Sequence, residues 1–252
     1  MISKKTKTGP VLIFLVILII AFTYRYTSKR IQFYGYYDKV WAHRVNDLKK
    51  LKSSEDNFKG IELDIVYQEE GNWLDVYHPP APSKGLSFAN YVKHIKNNKV
   101  GVWLDLKNLT KENHTAIITL IDSAIVSTEL DKSKIIIESS HPDCLDIFRE
   151  KGYRISYYLP AKMYLKTEKE VLNNINDIKK NIENNSHLEL SAYFEDYPIV
   201  AKYFPLRKKN FWVLHSSYSP KILIDYKKIR RMLKDSTVET VLTPYNNFNK
   251  NL

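Results

Sequence analysis

The 252-residue chain is 44% apolar and 13% aromatic, enough for one sizeable core and too much for a disordered segment. Its formal charge is +11, but residues 1–30 hold six basic and no acidic side chains, so residues 31–252 carry only +5. That excess favours an anionic ligand or a lipid-headgroup surface, while no run of basic residues interleaved with aromatics resembles a nucleic-acid face, and the lone Cys144 excludes an internal disulfide framework.

The first element is an apolar run, Val11 to Phe22, set between Lys4, Lys5 and Lys7 on one side and Arg25 on the other. The 17 uncharged residues between Lys7 and Arg25 span roughly 26 Å as a helix, near the lower limit for crossing a bilayer. A cleaved signal peptide is the rival reading, but "IIAFTYRYTSKR" lacks the small residues that cleavage needs. The expectation is a cytoplasmic tail and single-pass membrane anchor over residues 1–30, with the globular part, residues 31–252, on the extracytoplasmic side.

Eight strand candidates follow: "KVWAH" near 39, "GIELDIVY" at 60, "VGVWLDLK" at 100, "KIIIESS" at 134, "YRISYYL" at 153, "LELSAYFE" at 188, "NFWVLHSS" at 210 and "VETVLTP" at 238. Helical stretches alternate with them. They are predicted after Ser87, after Thr110, over "HPDCLDIFREKG", after Thr167 and over "SPKILIDYKKIRRMLKDS"; Thr110 and Thr167 are N-cap types, and Pro142 and Gly152 suit a first and a last position. Eight βα steps in this length predict a compact (β/α)8 TIM barrel whose last helix is short or missing. A doubly wound open sheet is the alternative, but the Gly-rich phosphate loop it normally carries is absent.

In such a barrel the C-terminal ends of the strands build the site. His43 and Arg44 end the first strand, Glu62 and Asp64 lie on the second, His78 follows an extension of it, and Asp105 and Lys107 end the third. Glu62 and Asp64 are two apart, so they share one strand face. Two carboxylates buried together repel unless a cation joins them, and with Asp105 they form an all-oxygen set suited to Mg²⁺ or Ca²⁺. Two imidazoles beside that cation can serve as general base and acid, and Arg44 and Lys107 can hold a phosphate. Together these residue types point to metal-assisted phosphodiester cleavage. Glu138, ending the fourth strand, and His215, ending the seventh, are further candidates for contact with substrate.

In order along the chain, "AHR", "GIELDIVY", "VYH", "VWLDLK", "ESSH" and "VLTPY" resemble the successive motifs of the glycerophosphodiester phosphodiesterase superfamily. The resemblance implies a (β/α)8 barrel with a divalent cation, catalytic roles for His43 and His78, metal ligation by Glu62 and Asp64, and phosphate contact by Arg44. Four features depart from the usual pattern: Asp105-x-Lys107 replaces Glu-x-Lys, "VND" follows His-Arg in place of Gly, Pro79-Pro80 follows the second His in place of Asp, and the downstream Pro-Glu-Asn-Thr segment is missing. "WAH-x-VN" with "HPP" is closer to the menorin-like branch, which brings in Asn46 as a substrate-binding candidate. The expected function is a membrane-anchored phosphodiesterase acting on a glycerophosphodiester, a lysophospholipid headgroup or a glycerol-phosphate polymer. The alternative is a catalytically silent barrel that binds a phosphate-bearing anion. No protein partner is identified.

Overall fold

A computed structural model describes residues 8–25, 29–212 and 221–245. Eight parallel strands close on themselves: β1 (Val40–His43), β2 (Gly60–Gln68), β4 (Gly101–Leu106), β5 (Ile135–Ser139), β6 (Arg154–Tyr158), β7 (Glu189–Tyr193), β8 (Lys209–Trp212) and β9 (Val238–Pro244). Each pairs with the next, and β1 joins both β9 and β2, through Ala42 opposite Ile61, to seal the ring. A ninth strand, β3 (Trp73–Val76), folds back antiparallel on β2. The eight parallel strands are the eight expected from sequence.

Around the ring lie α2 (Leu48–Glu55), α3 (Phe88–Val92), α4 (His114–Val126), α5 (Asp146–Glu150), α6 (Glu168–Ile182), α7 (Tyr197–Tyr203) and α8 (Lys221–Lys234). The α6 helix starts as predicted, with Thr167 and Glu170 completing a reciprocal capping box. Other boundaries differ. The helix after Ser87 is only five residues long, and the "HPDCLDIFREKG" helix is split into a 3₁₀ turn at Pro142–Cys144 and α5. Thr110 is not the cap of α4: the Asn113 carboxamide turns back to accept the Thr110 N–H at 2.8 Å, so the helix begins one turn later. Two helices, α2 and α7, are absent from the expectation; α2 (LKKLKSSE) carries only Leu48 and Leu51 as apolar residues, too few for a 3.6-residue period to register.

Alternation along each strand sorts the two sides of the barrel wall. Ile61, Leu63 and Ile65 of β2 join the apolar layer beneath the helices, where burial contributes roughly 1.5–3 kcal/mol per large side chain. Inside the ring, Trp41, Trp103, Ile136, Trp212 and Leu242 form a separate cluster. The Trp41 ring lies so close over Gly60 and Gly101 that a Cβ there would stand 2.0 and 2.2 Å from ring carbons. These glycines are therefore required by contact with Trp41, not by backbone conformation.

At the amino-terminal end, α1 (Thr8–Arg25) presents every side chain from Val11 to Ile19 at 46–64% exposure. Among the described residues no helix is long and apolar enough to cross a membrane. Arg30 meets the barrel, fully buried, and donates to Thr243 Oγ1 (3.0 Å) and the Pro244 carbonyl (2.8 Å). That contact is at the C-terminal end of β9, where Pro244 sits opposite His43.

Candidate active site

The turn that leaves β1 organises the site. Arg44 adopts a left-handed conformation, φ 54°, which costs a residue with a Cβ about 1–2 kcal/mol. The conformation aims the Arg44 N–H at Glu62 Oε2, 2.6 Å away. From the other side, Lys50 Nζ on α2 donates to the carbonyls of His43 (2.7 Å) and Arg44 (2.6 Å). Asn46 then grips Asp64 twice, donating to Oδ2 at 2.6 Å and accepting the Asp64 N–H at 3.0 Å. Asp47 caps α2 by accepting from the Lys50 N–H at 2.7 Å.

Register builds the acidic wall. Asp64, Asp105 and Glu138 stand side by side on β2, β4 and β5, and Glu62 lies one inward position below Asp64. Oxygens of Glu62, Asp64 and Asp105 lie within 4.8 Å of one another. Lys107 bonds to Asp64 Oδ1 (2.7 Å) and to Asp105 Oδ2. Burial pushes Glu62 well above the usual carboxylate range, and repulsion from Asp64 and Asp105 adds to it. Asp105 is raised by burial too. Burial also acts to raise Asp64, but the adjacent Lys107 outweighs it and brings that carboxyl below its ordinary value. Glu138 is pushed well up by burial and then by Asp105, and its Oε2 has no hydrogen-bond partner.

The two imidazoles face this wall. His43 Nε2 lies 3.7 Å from Glu62 Oε2, and burial, reinforced by the Arg44 charge, lowers His43 to about 3, so it is neutral at physiological pH. His78, in the loop after β3, has Nε2 2.8 Å from Arg44 Nη2 and 4.0 Å from Asp64 Oδ1. A guanidinium only donates, so His78 Nε2 accepts and the ring proton resides on Nδ1.

These groups enclose a cavity of about 100 Å³ at the C-terminal end of the barrel. His43, Arg44, Glu62, Asp64, His78, Asp105, Lys107 and Glu138 all line it, so eight of the sequence candidates converge. Asn46 stands behind Asp64 as its support, and His215 lies outside the described residues. Lining residues that the sequence reading missed are Tyr158, Trp212 and Leu242. Tyr158 and Trp212 are the last residues of their strands, and a search for polar strand ends passes over them. Lys50 had no such signal, because it reaches the site from a helix. A larger cavity, about 460 Å³, opens at the opposite end of the barrel beside Arg154 and Glu189, but there the arginine already forks onto the carboxylate at 2.8 and 2.7 Å.

The acidic set fits a divalent cation. Fully ionised, the three carboxyls against one ammonium would carry −2, and the raised Glu62 marks a place short of positive charge.

No family model matches this chain, and no curated protein matches it. Solved structures do. A glycerophosphodiester phosphodiesterase from Parabacteroides distasonis aligns over 81% of this chain and 92% of its own at 17% identity, with a TM-score of 0.54. A phosphodiesterase from Oleispira antarctica, in complex with the product sn-glycerol-3-phosphate, aligns over 83% of this chain and 94% of its own at 10% identity, with a TM-score of 0.53. At such identities the likeness shows a common barrel fold.

Proposed function

We propose that this chain is a divalent-cation-dependent phosphodiesterase acting on a glycerophosphodiester-type substrate. The observation that carries the reading is the convergence of two imidazoles, two cationic side chains and a three-carboxylate set on one cavity at the C-terminal end of the barrel. The glycerophosphodiester phosphodiesterases that share the fold support it.

Glu62, Asp64 and Asp105 would hold the cation, Mg²⁺ or Ca²⁺, which when bound supplies charge stabilisation to the phosphoryl oxygens. Arg44 and Lys107 bind the phosphate. His43, held neutral by burial, accepts the proton of the attacking hydroxyl. Once Arg44 exchanges its contact with His78 for the phosphate, the freed Nε2 takes up a proton from solvent, and the resulting imidazolium gives that proton to the leaving oxygen. Glu62 fixes the β1 turn through the Arg44 N–H, and Trp103, Trp212 and Leu242 keep the floor of the site dry.

The exposed apolar side chains Val11–Ile19 support attachment of the barrel to a bilayer on the extracytoplasmic side through α1, although the described part of α1 is not by itself long and apolar enough to cross. The test is turnover of glycerophosphodiesters by the full chain with and without EDTA. EDTA-sensitive cleavage, lost in His43→Ala and Glu62→Gln, is expected. A folded chain that binds cation and phosphate but turns over no diester would replace this reading with that of a silent phosphate-binding barrel.

A further inference from the structure

An aromatic path leads out of the cavity. Tyr158 stacks on Trp212 (centroids 4.7 Å apart, 16° between planes), Trp212 is 6.4 Å from Tyr193, and Tyr193 is 5.9 Å from Tyr164. Tyr158 and Trp212 line the polar cavity. Tyr164 sits in the turn after β6, and so on the face that carries the site.

That turn is built to hold apolar side chains outward. Met163 is its buried plug, the Tyr164 N–H is held by Asp196 Oδ1 at 2.7 Å, and the Leu165 and Lys166 N–H groups close onto the Lys162 and Met163 carbonyls. Tyr164 and Leu165 remain 41% and 67% exposed, between the exposed Lys162 and Lys166. An apolar tip flanked by ammonium groups suits an anionic bilayer surface.

Arg30 lies on the same face. Arg30 is pinned to Thr243 and Pro244 beside the end of β1. It follows Arg25, the end of α1, by five positions, a reach of at most about 18 Å. Helix α1 is apolar on every side from Val11 to Ile19, as a helix surrounded by lipid is.

We propose that the catalytic face is docked against a bilayer through the Tyr164–Leu165 tip. The substrate is then an amphiphile within that surface, its phosphodiester in the polar cavity and its less polar part along the Tyr158–Trp212–Tyr193–Tyr164 path. This rests on the phosphodiesterase reading for its chemistry, whereas the docked face itself does not.

The test uses the full chain reconstituted in phospholipid vesicles containing anionic lipid, with one environment-sensitive dye on Leu165→Cys or, at the opposite end of the barrel, on Leu206→Cys; the native Cys144 is buried. Lipid-borne nitroxide is expected to quench the dye at 165 and spare the dye at 206. Equal quenching at both positions, or none at 165, overturns the docking surface whatever the activity. In a second arm, Leu165→Ser is expected to lower the ratio of turnover on a vesicle-borne diester to turnover on its water-soluble deacylated counterpart roughly tenfold. An unchanged ratio overturns the substrate assignment. If the unaltered chain cleaves neither diester, the phosphodiesterase reading and the substrate assignment fall together, and the quenching result alone decides whether the face is docked.

Discussion

Replacing Lys50 with methionine separates the cost of the β1 turn from its use. Burial lowers the Lys50 pKa from its ordinary value to about 8. A depression of that size corresponds to about 3 kcal/mol against keeping the charge there. The Lys50→Met substitution removes that penalty along with two charge-assisted hydrogen bonds, each worth roughly 1.5–3 kcal/mol. The bonds lost sum to about 3–6 kcal/mol against the roughly 3 kcal/mol recovered, so stability at pH 7.5 is expected to fall by no more than about 3 kcal/mol. Activity responds differently. Without Nζ on the His43 and Arg44 carbonyls, the left-handed Arg44 is free to relax by about 1–2 kcal/mol, which leaves the competent turn populated roughly one-tenth of the time. Diester turnover should fall roughly tenfold. The pH dependence carries its own sign: Lys50 is depressed in the fold, so between about pH 8 and the ordinary lysine range the unfolded chain binds more protons and stability rises with pH. Urea unfolding at pH 7.5 and 10 should show that rise in the parent and lose it in Lys50→Met. A folded Lys50→Met variant with turnover within about twofold of the parent would refute the reasoning.

Gly60→Ala places a Cβ 2.0 Å from the Trp41 ring and should destabilise the barrel by about 3 kcal/mol, partly recovered by adding Trp41→Phe; chemical denaturation of the single and double variants measures both. Asp196 is raised by burial to about 6, so the fold holds its proton more tightly and loses stability as pH rises through that value. Asp196→Asn keeps an acceptor for the Tyr164 N–H and should raise the thermal midpoint at pH 7.5 with little effect at pH 4. Because Glu62 is pushed well up by burial, cation uptake near neutral pH should release protons, visible as buffer-dependent heats in titration calorimetry. Glu62→Gln should reduce that release to the part contributed by Asp105, which burial also raises, and weaken affinity roughly tenfold or more.

Much of the site is legible in the chain itself. "GIELDIVY" states both a strand and its inward pair, because alternation of side chains is a property of two adjacent residues and needs no partner. The same local rule marks His43, Asp105 and Glu138 as strand ends, and Thr167 with Glu170 writes the start of α6. Local competition explains the errors: the Asn113 side chain captures the Thr110 N–H and delays α4, and α2 is amphipathic over too few residues to announce itself.

What only the tertiary structure decides is which strand ends meet, and at what height. Asp64, Asp105 and Glu138 form one row because closure of the ring fixes the register of β2, β4 and β5. Trp41 dictates glycine at positions 60 and 101 from another strand, Lys50 reaches the β1 turn from a helix, and Arg30 binds the active-site rim from more than 200 residues away in sequence. Periodicity is set by the geometry of consecutive peptide units, whereas these contacts are set by barrel register and closure, which involve the whole chain.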